Sequence, residues 1–192
     1  MSSDPLRRWI VDELTSARAR LAGGVIDMIP SDEMTVLADN GGVPGGYALW
    51  HLARHHDVAV NAVLRGRDEV VLDHLGALGV HDRLYRGLAE GADTDLVAVL
   101  DPDAVAAYAL ATLDDTIAWV ATEASLEDLD DVPDSARALR ALGTPEDDFD
   151  WLYRMWSDKP RRWFLSWSAI GHVVTHTGEL VGIRNRLGHN PF

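Results

Sequence analysis

Two histidines four residues apart, His172 and His176, sit in the stretch "GHVVTHTGEL", which otherwise reads as the buried face of a helix. A second pair with the same spacing, His51 and His55, lies in "ALWHLARHHD", where His56 follows directly. Residues four apart stand one turn above each other on a helix, so either pair can offer imidazole nitrogens to one ion about 2.0 to 2.1 Å away. The plainer alternative is that these are core histidines, each satisfied by a backbone carbonyl or a tyrosine hydroxyl. Both pairs, however, share their faces with apolar residues, which turns four imidazoles toward one interior. Each unpaired imidazole there costs about 1 to 3 kcal/mol, a penalty that a shared cation removes. Glu179 follows His176 by three residues, in position to orient it from behind.

Spacing excludes several rival chemistries. A zincin protease needs H-E-x-x-H, and Val173 stands where its general base would be. A di-iron bundle needs Glu-x-x-His, and none of the eight histidines has Glu three positions before it. The chain has no cysteine, which removes disulfides, thiolate nucleophiles and Cys-ligated metals together. What remains is a mononuclear site of three neutral imidazoles with one position open. Zinc, the first expectation, would bring a bound water's pKa to about 7; nickel or iron(II) suits the same donors, and residue types alone do not choose among them.

Such a site needs two helices held face to face, and the hydrophobic periodicity supplies four long ones. The first runs from about Asp4 to Val25, with Asp4 as N-cap, Pro5 at the first helical position, and Trp9, Ile10, Leu14, Ala17 and Leu21 as its inner stripe. After the break "DNGGVPGG", the second runs from Tyr47 to about Leu64. Its inward residues are His51, His55, Val58 and Ala62 with Leu52, Ala59 and Val63; its outward stripe is Arg54, Asp57, Asn61 and Arg65. Asp101 and Pro102 open the third, and the fourth spans Trp163 to Leu187 before Gly188. The second and third connections are longer than a hairpin bundle needs, so shorter helices are expected within "VHDRLYRGLAE" and "DSARALRALG". "DEVVLDHL" is the one short strand candidate and suits a helix as well. Between Glu123 and Asp150 ten acidic residues face only Arg137 and Arg140, which reads as a solvated surface segment. The expectation is an all-α protein, a four-helix bundle with long connections, in a single domain over residues 1–192.

Composition bounds the partners. Seventeen Lys and Arg against 31 Asp and Glu leave a formal charge of −14, and no basic stripe exists to meet a nucleic-acid backbone. No run of about 18 apolar residues and no signal-peptide core is apparent, so neither a membrane nor export is expected, and the location is read as cytoplasmic.

The segments "ALWHLARHHD" and "GHVVTHTGELVGIRNRLG" resemble the DinB/YfiT-like superfamily, four-helix bundles with a three-histidine metal site. The resemblance follows the helix order through most of the chain, and its specific part is confined to the two histidine segments. It places one ligand in a W-H-L-A context and two in H-x-x-x-H-x-G-[QE]-L, which implies His51, His172 and His176 as ligands. His55 is the alternative third ligand and otherwise, with Trp50, a pocket residue. Many relatives carry a basic residue where this chain has Thr177, which implies a differently charged ligand if that side chain contacts it.

Related bundles include a mycothiol-dependent maleylpyruvate isomerase and bacillithiol S-transferases. The resemblance therefore implies a thiol-dependent transferase or isomerase that takes a small-molecule thiol and an electrophilic substrate, and the Ala-, Asp- and Val-rich composition points to mycothiol. A metal-dependent hydrolase, or a non-catalytic metal-binding or stress-response bundle that dimerises, stands beside that reading. Seven tryptophans are many for this length. Trp50, Trp163 and Trp167 flank the histidines as core packing or as pocket wall. Helical angles favour Ser168 and Ala169 over Trp167 beneath His172. Trp151 and Trp156 are expected to pin the acidic segment onto the bundle, or, if exposed, to mark a homodimer interface.

Overall fold

The computed structural model describes residues 4–38, 42–82, 84–91 and 93–192. The described residues form an all-α bundle without strands. In chain order the helices are α1 (Pro5–Leu21), α2 (Gly45–Asp57), α3 (Val71–Leu78), α4 (Pro102–Thr122), α5 (Ser135–Ala141), α6 (Asp150–Trp156), the single turn α7 (Arg161–Trp163) and α8 (His172–Arg186). Three wide π-helical segments lengthen the rods. Ala22–Ile26 continues α1, Val58–Arg65 continues α2, and Phe164–Gly171 leads from α7 into α8.

The long helices start where their caps direct. Asp4 accepts the Leu6 N–H at 3.0 Å ahead of Pro5, and Asp101 accepts the Ala104 N–H at 2.8 Å ahead of Pro102, so each satisfies an orphan donor of the first turn. At the other end, α8 stops at Leu187 with Gly188 at φ 95°. The four rods close a ring in which α1 and α2 each pack on both α4 and α8. Leu21, Leu49, Leu52, Leu113, Leu180 and Ile183 form one apolar cluster inside it. Leu14, Val58, Leu139, Leu152, Trp156 and Phe164 form a second, which ties α5 and α6 to the bundle. By length and composition α4 could cross a membrane. Its Val105, Tyr108, Thr112, Leu113, Thr116 and Val120 are instead buried among the other helices.

Several details depart from the sequence reading. Trp9 is 53% exposed and not part of the α1 stripe. The segment Val80–Glu90 contains no helix among its described residues. The acidic segment does fold, into α5 and α6, with all ten acidic side chains outward and Leu139, Leu152 and Trp156 inward.

The largest departure concerns the expected outward stripe of α2, because every residue from Gly45 to Asp57 is buried. Arg54, Asp57 and Asn61 have no exposed surface; the long connection after α2 folds back over them. The Asp57 carboxylate accepts from Asn61 Nδ2 (2.8 Å), Tyr108 Oη (2.7 Å) and the backbone N–H groups of Val70 (3.0 Å) and Val71 (2.9 Å). It thereby anchors the start of α3. Arg54 reaches Asp57 (3.3 Å), Tyr108 Oη (3.0 Å) and Glu69 (3.4 Å). Buried charges persist only when paired and hydrogen-bonded in this way.

Candidate metal centre

His51 comes from the middle of α2, and His172 and His176 come from the first two turns of α8. The packing of α2 on α8 brings the three together, all buried, with one ring nitrogen from each lying within 4.8 Å of the others. Their ring centroids are 5.1 Å (His51–His172), 4.7 Å (His51–His176) and 4.3 Å (His172–His176) apart. An ion with Zn–N bonds of about 2.0 to 2.1 Å would draw the nitrogens closer by small side-chain rotations.

The surrounding hydrogen bonds decide which nitrogen each ring presents. His51 Nδ1–H donates to the Gly87 carbonyl at 2.7 Å, and His176 Nδ1–H donates to Glu179 Oε2 at 2.8 Å, which leaves Nε2 of both rings free to ligate. His172 makes no hydrogen bond with any described residue, and its Nδ1 is buried without a partner. A buried imidazole left unpaired in this way is unfavourable unless something else satisfies the ring.

Burial keeps two of the donors, His51 and His172, neutral. Burial pushes His51 down to about 4, although the Gly87 carbonyl pulls the other way. Burial and the neighbouring His51 push His55 to about 3, and burial with His55, His176 and His51 drives His172 far below the ordinary imidazole value. The hydrogen bond from His176 lowers Glu179 despite partial burial, so its carboxylate is ionised. Imidazoles backed by a carbonyl and a carboxylate fit a divalent ion.

His55 stands next to this trio without joining the nitrogen cluster. Its Nε2–H donates to the Leu88 carbonyl at 2.7 Å, and its ring lies 4.6 Å from that of His172. His56 points away, its Nε2–H donating to Thr116 Oγ1 on α4 at 2.7 Å.

The loop after α3 is the part of the site that sequence reasoning missed. The carbonyls of Leu84, Arg86, Gly87, Leu88 and Ala89 accept from α2 side chains, respectively Arg54, Trp50, His51, His55 and Tyr47, at 2.6 to 3.0 Å. A helix would consume those carbonyls internally, so this segment stays irregular to serve α2. Gly87 makes the close approach feasible: it sits at φ 83°, and a Cβ there would fall 2.3 Å from the Trp50 ring. The one sequence signal was that glycine between Arg86 and Leu88. Trp50 is accordingly buried behind the histidines and is not on the pocket wall, because its indole N–H is turned to Arg86.

A cavity of about 650 Å³ opens beside the three histidines, walled by His55, Trp151, Met155, Trp167 and Thr175, with Glu90 and Glu179 also reaching it. Trp167 overturns the angular argument that favoured Ser168 and Ala169. The π-helical run Phe164–Gly171 places residues five apart one turn apart, and the Trp167 ring meets His172 edge-on at 6.4 Å. Gly171 leaves room for it, since a Cβ there would lie 3.1 Å from the indole. Ser168 and Ala169 are buried in the bundle instead. Trp163 lies off the cavity with Lys159 over its ring. Thr177 is also outside the cavity: its hydroxyl donates to the Val173 carbonyl, and it borders a groove between α8 and α1. It therefore does not contact a ligand held at the histidines. Trp156 pins the acidic segment as expected, whereas Trp151, 40% exposed, forms cavity wall.

No family model and no curated protein matches this chain. Among solved structures, that of a conserved protein from Enterococcus faecalis is similar over 96% of this chain and 98% of its own, with a TM-score of 0.66 and 19% sequence identity. At that identity the likeness shows the fold alone.

Proposed function

We propose that this chain is a mononuclear metal-dependent enzyme of the DinB/YfiT-like type, with His51, His172 and His176 as ligands and zinc as the first candidate ion. The observation that carries the reading is the convergence of three buried imidazoles, two with Nδ1 already committed, beside an open cavity. The match of "WHLA" and "HVVTHTGEL" to that superfamily's pattern supports it.

The reaction we propose is transfer or isomerisation that uses a small thiol of the mycothiol kind. A divalent ion held there would supply Lewis acidity and would lower the pKa of a thiol. The chain's own residues do the rest. Gly87 and Glu179 hold two ligand rings in fixed tautomers, and His55 is kept off the cluster by Leu88. Trp151, Trp167 and Met155 give the cavity walls that exclude water from an electrophile. Hydrolysis would need a water-activating base; Glu179 is engaged by His176, so among the described carboxylates that line the cavity Glu90 is the one left for that role.

The test is to load the protein with cobalt(II) and titrate mycothiol while following the visible and near-ultraviolet spectrum, then assay conjugation of an electrophile. A thiol-dependent spectral change with turnover is expected. A loaded site whose spectrum no thiol perturbs would contradict the thiol reading.

A further inference from the structure

The charge of the cavity wall bears on what occupies it. None of the described residues lining it is Lys or Arg, while Glu90 and Glu179 are both carboxylates. Glu179 is bound to His176, but Glu90 makes no hydrogen bond or ion pair with any described residue. Arg86 is engaged with Asp93 and Asp95 at 3.1 Å and Arg154 with Asp150 at 2.5 Å, while Arg186 on α8, which draws Glu179 down electrostatically, does not line the cavity. The apolar part of the wall is Trp151 and Trp167 with Met155 and Ala89. The Trp151 ring lies 6.5 Å from that of His55, the Trp167 ring 6.4 Å from that of His172, and both indoles are about two-fifths exposed.

A carboxylate on the part of a ligand away from the histidines would lose water against these walls and face Glu90, with no described lining residue a cation to receive it. A flat group with a positive charge meets the reverse situation, because indole faces attract cations and Glu90 supplies a counter-ion. We propose that the molecule bound in this cavity, opposite the ion of the reading above, is a flat apolar group bearing a positive charge, with Glu90 as its counter-ion. The proposal rests on that reading only for which end of the ligand faces the histidines.

The probes are three benzyl thiols differing only in the para substituent: aminomethyl, hydroxymethyl or carboxylate. The rigid ring keeps that substituent away from the ion. Each is titrated into zinc-loaded protein at about 0.15 M salt, where long-range attraction to the acidic chain is screened, and read by tryptophan fluorescence. The amine should bind about 10-fold tighter than the alcohol, and the alcohol tighter than the carboxylate. Glu90→Gln should close most of the first gap, and Trp151→Ala should weaken the amine. The thiol-free analogues 4-methylbenzylamine, 4-methylbenzyl alcohol and 4-methylbenzoate, titrated into chelated protein, should keep the same order. If that order persists while the thiols bind no better with zinc than without it, the metal reading fails and the charge inference stands. Equal affinities across both series, a preference for the carboxylate in the thiol-free series, or an amine preference unchanged by Glu90→Gln overturns the proposal.

Discussion

His176 shows how the site is built at the scale of single residues. Its Nδ1–H is fixed by Glu179 one turn below, at 2.8 Å, so its Nε2 is aimed and made more basic before any ion arrives. Removing that partner should be felt in metal affinity more than in folding. We expect Glu179→Ala to weaken zinc binding about 10- to 100-fold, measured by competition with a chromophoric chelator, with the far-ultraviolet spectrum unchanged. An unchanged affinity would mean that the carboxylate does not orient the ring. The grouping of His172, His176 and Glu179 was legible in the sequence because i, i+3 and i, i+4 spacing on a helix fixes neighbours without reference to tertiary structure. Spacing alone did not choose between His51 and His55, since both occupy the same face, and the preference for His51 rested on its W-H-L-A context. What separates them in the structure is which loop carbonyl each meets, Gly87 or Leu88.

At the scale of elements, α2 is the organising part. One side carries His51, the other carries Arg54 and Asp57, and the latter hold α3 and the following loop over the helix. Its periodicity predicted a solvated stripe, because a charged residue on a helix is normally exposed. The stripe is buried because a distant segment returns to cover it, and local spacing carries no sign of that. The π-helical run before α8 escaped for a related reason: an angular argument that assumes 3.6 residues per turn mislocates Trp167. Asp57→Ala tests the element-scale account. It leaves Arg54 buried without its nearest counter-charge and α3 without its anchor, so a loss of about 3 to 5 kcal/mol is expected from urea unfolding of chelated protein. A loss below about 1 kcal/mol would show that the network adds little to stability.

At the scale of the molecule, the four rods and their order were legible from caps and apolar periodicity, and the all-α bundle follows from them. The fold also stores several histidines in neutral form, which ties its stability to pH. His51 and His56 titrate at about 4 and His55 at about 3, all lowered first by burial, against an unfolded value of 6.5. Below about pH 6.5 the unfolded chain takes up protons that the folded chain refuses, so stability falls as pH drops until about 3 to 4. Chelated protein should therefore show a urea midpoint that declines steadily from pH 7 to pH 5, and a flat midpoint would contradict the burial of neutral histidines. The central claim is that the three imidazoles hold one ion, and metal content measures it directly. Protein purified without chelator, or reconstituted with zinc, should carry close to one metal per chain, and His172→Ala/His176→Ala should lose it while keeping its helical spectrum. Wild-type protein that takes up no metal after reconstitution would contradict the account.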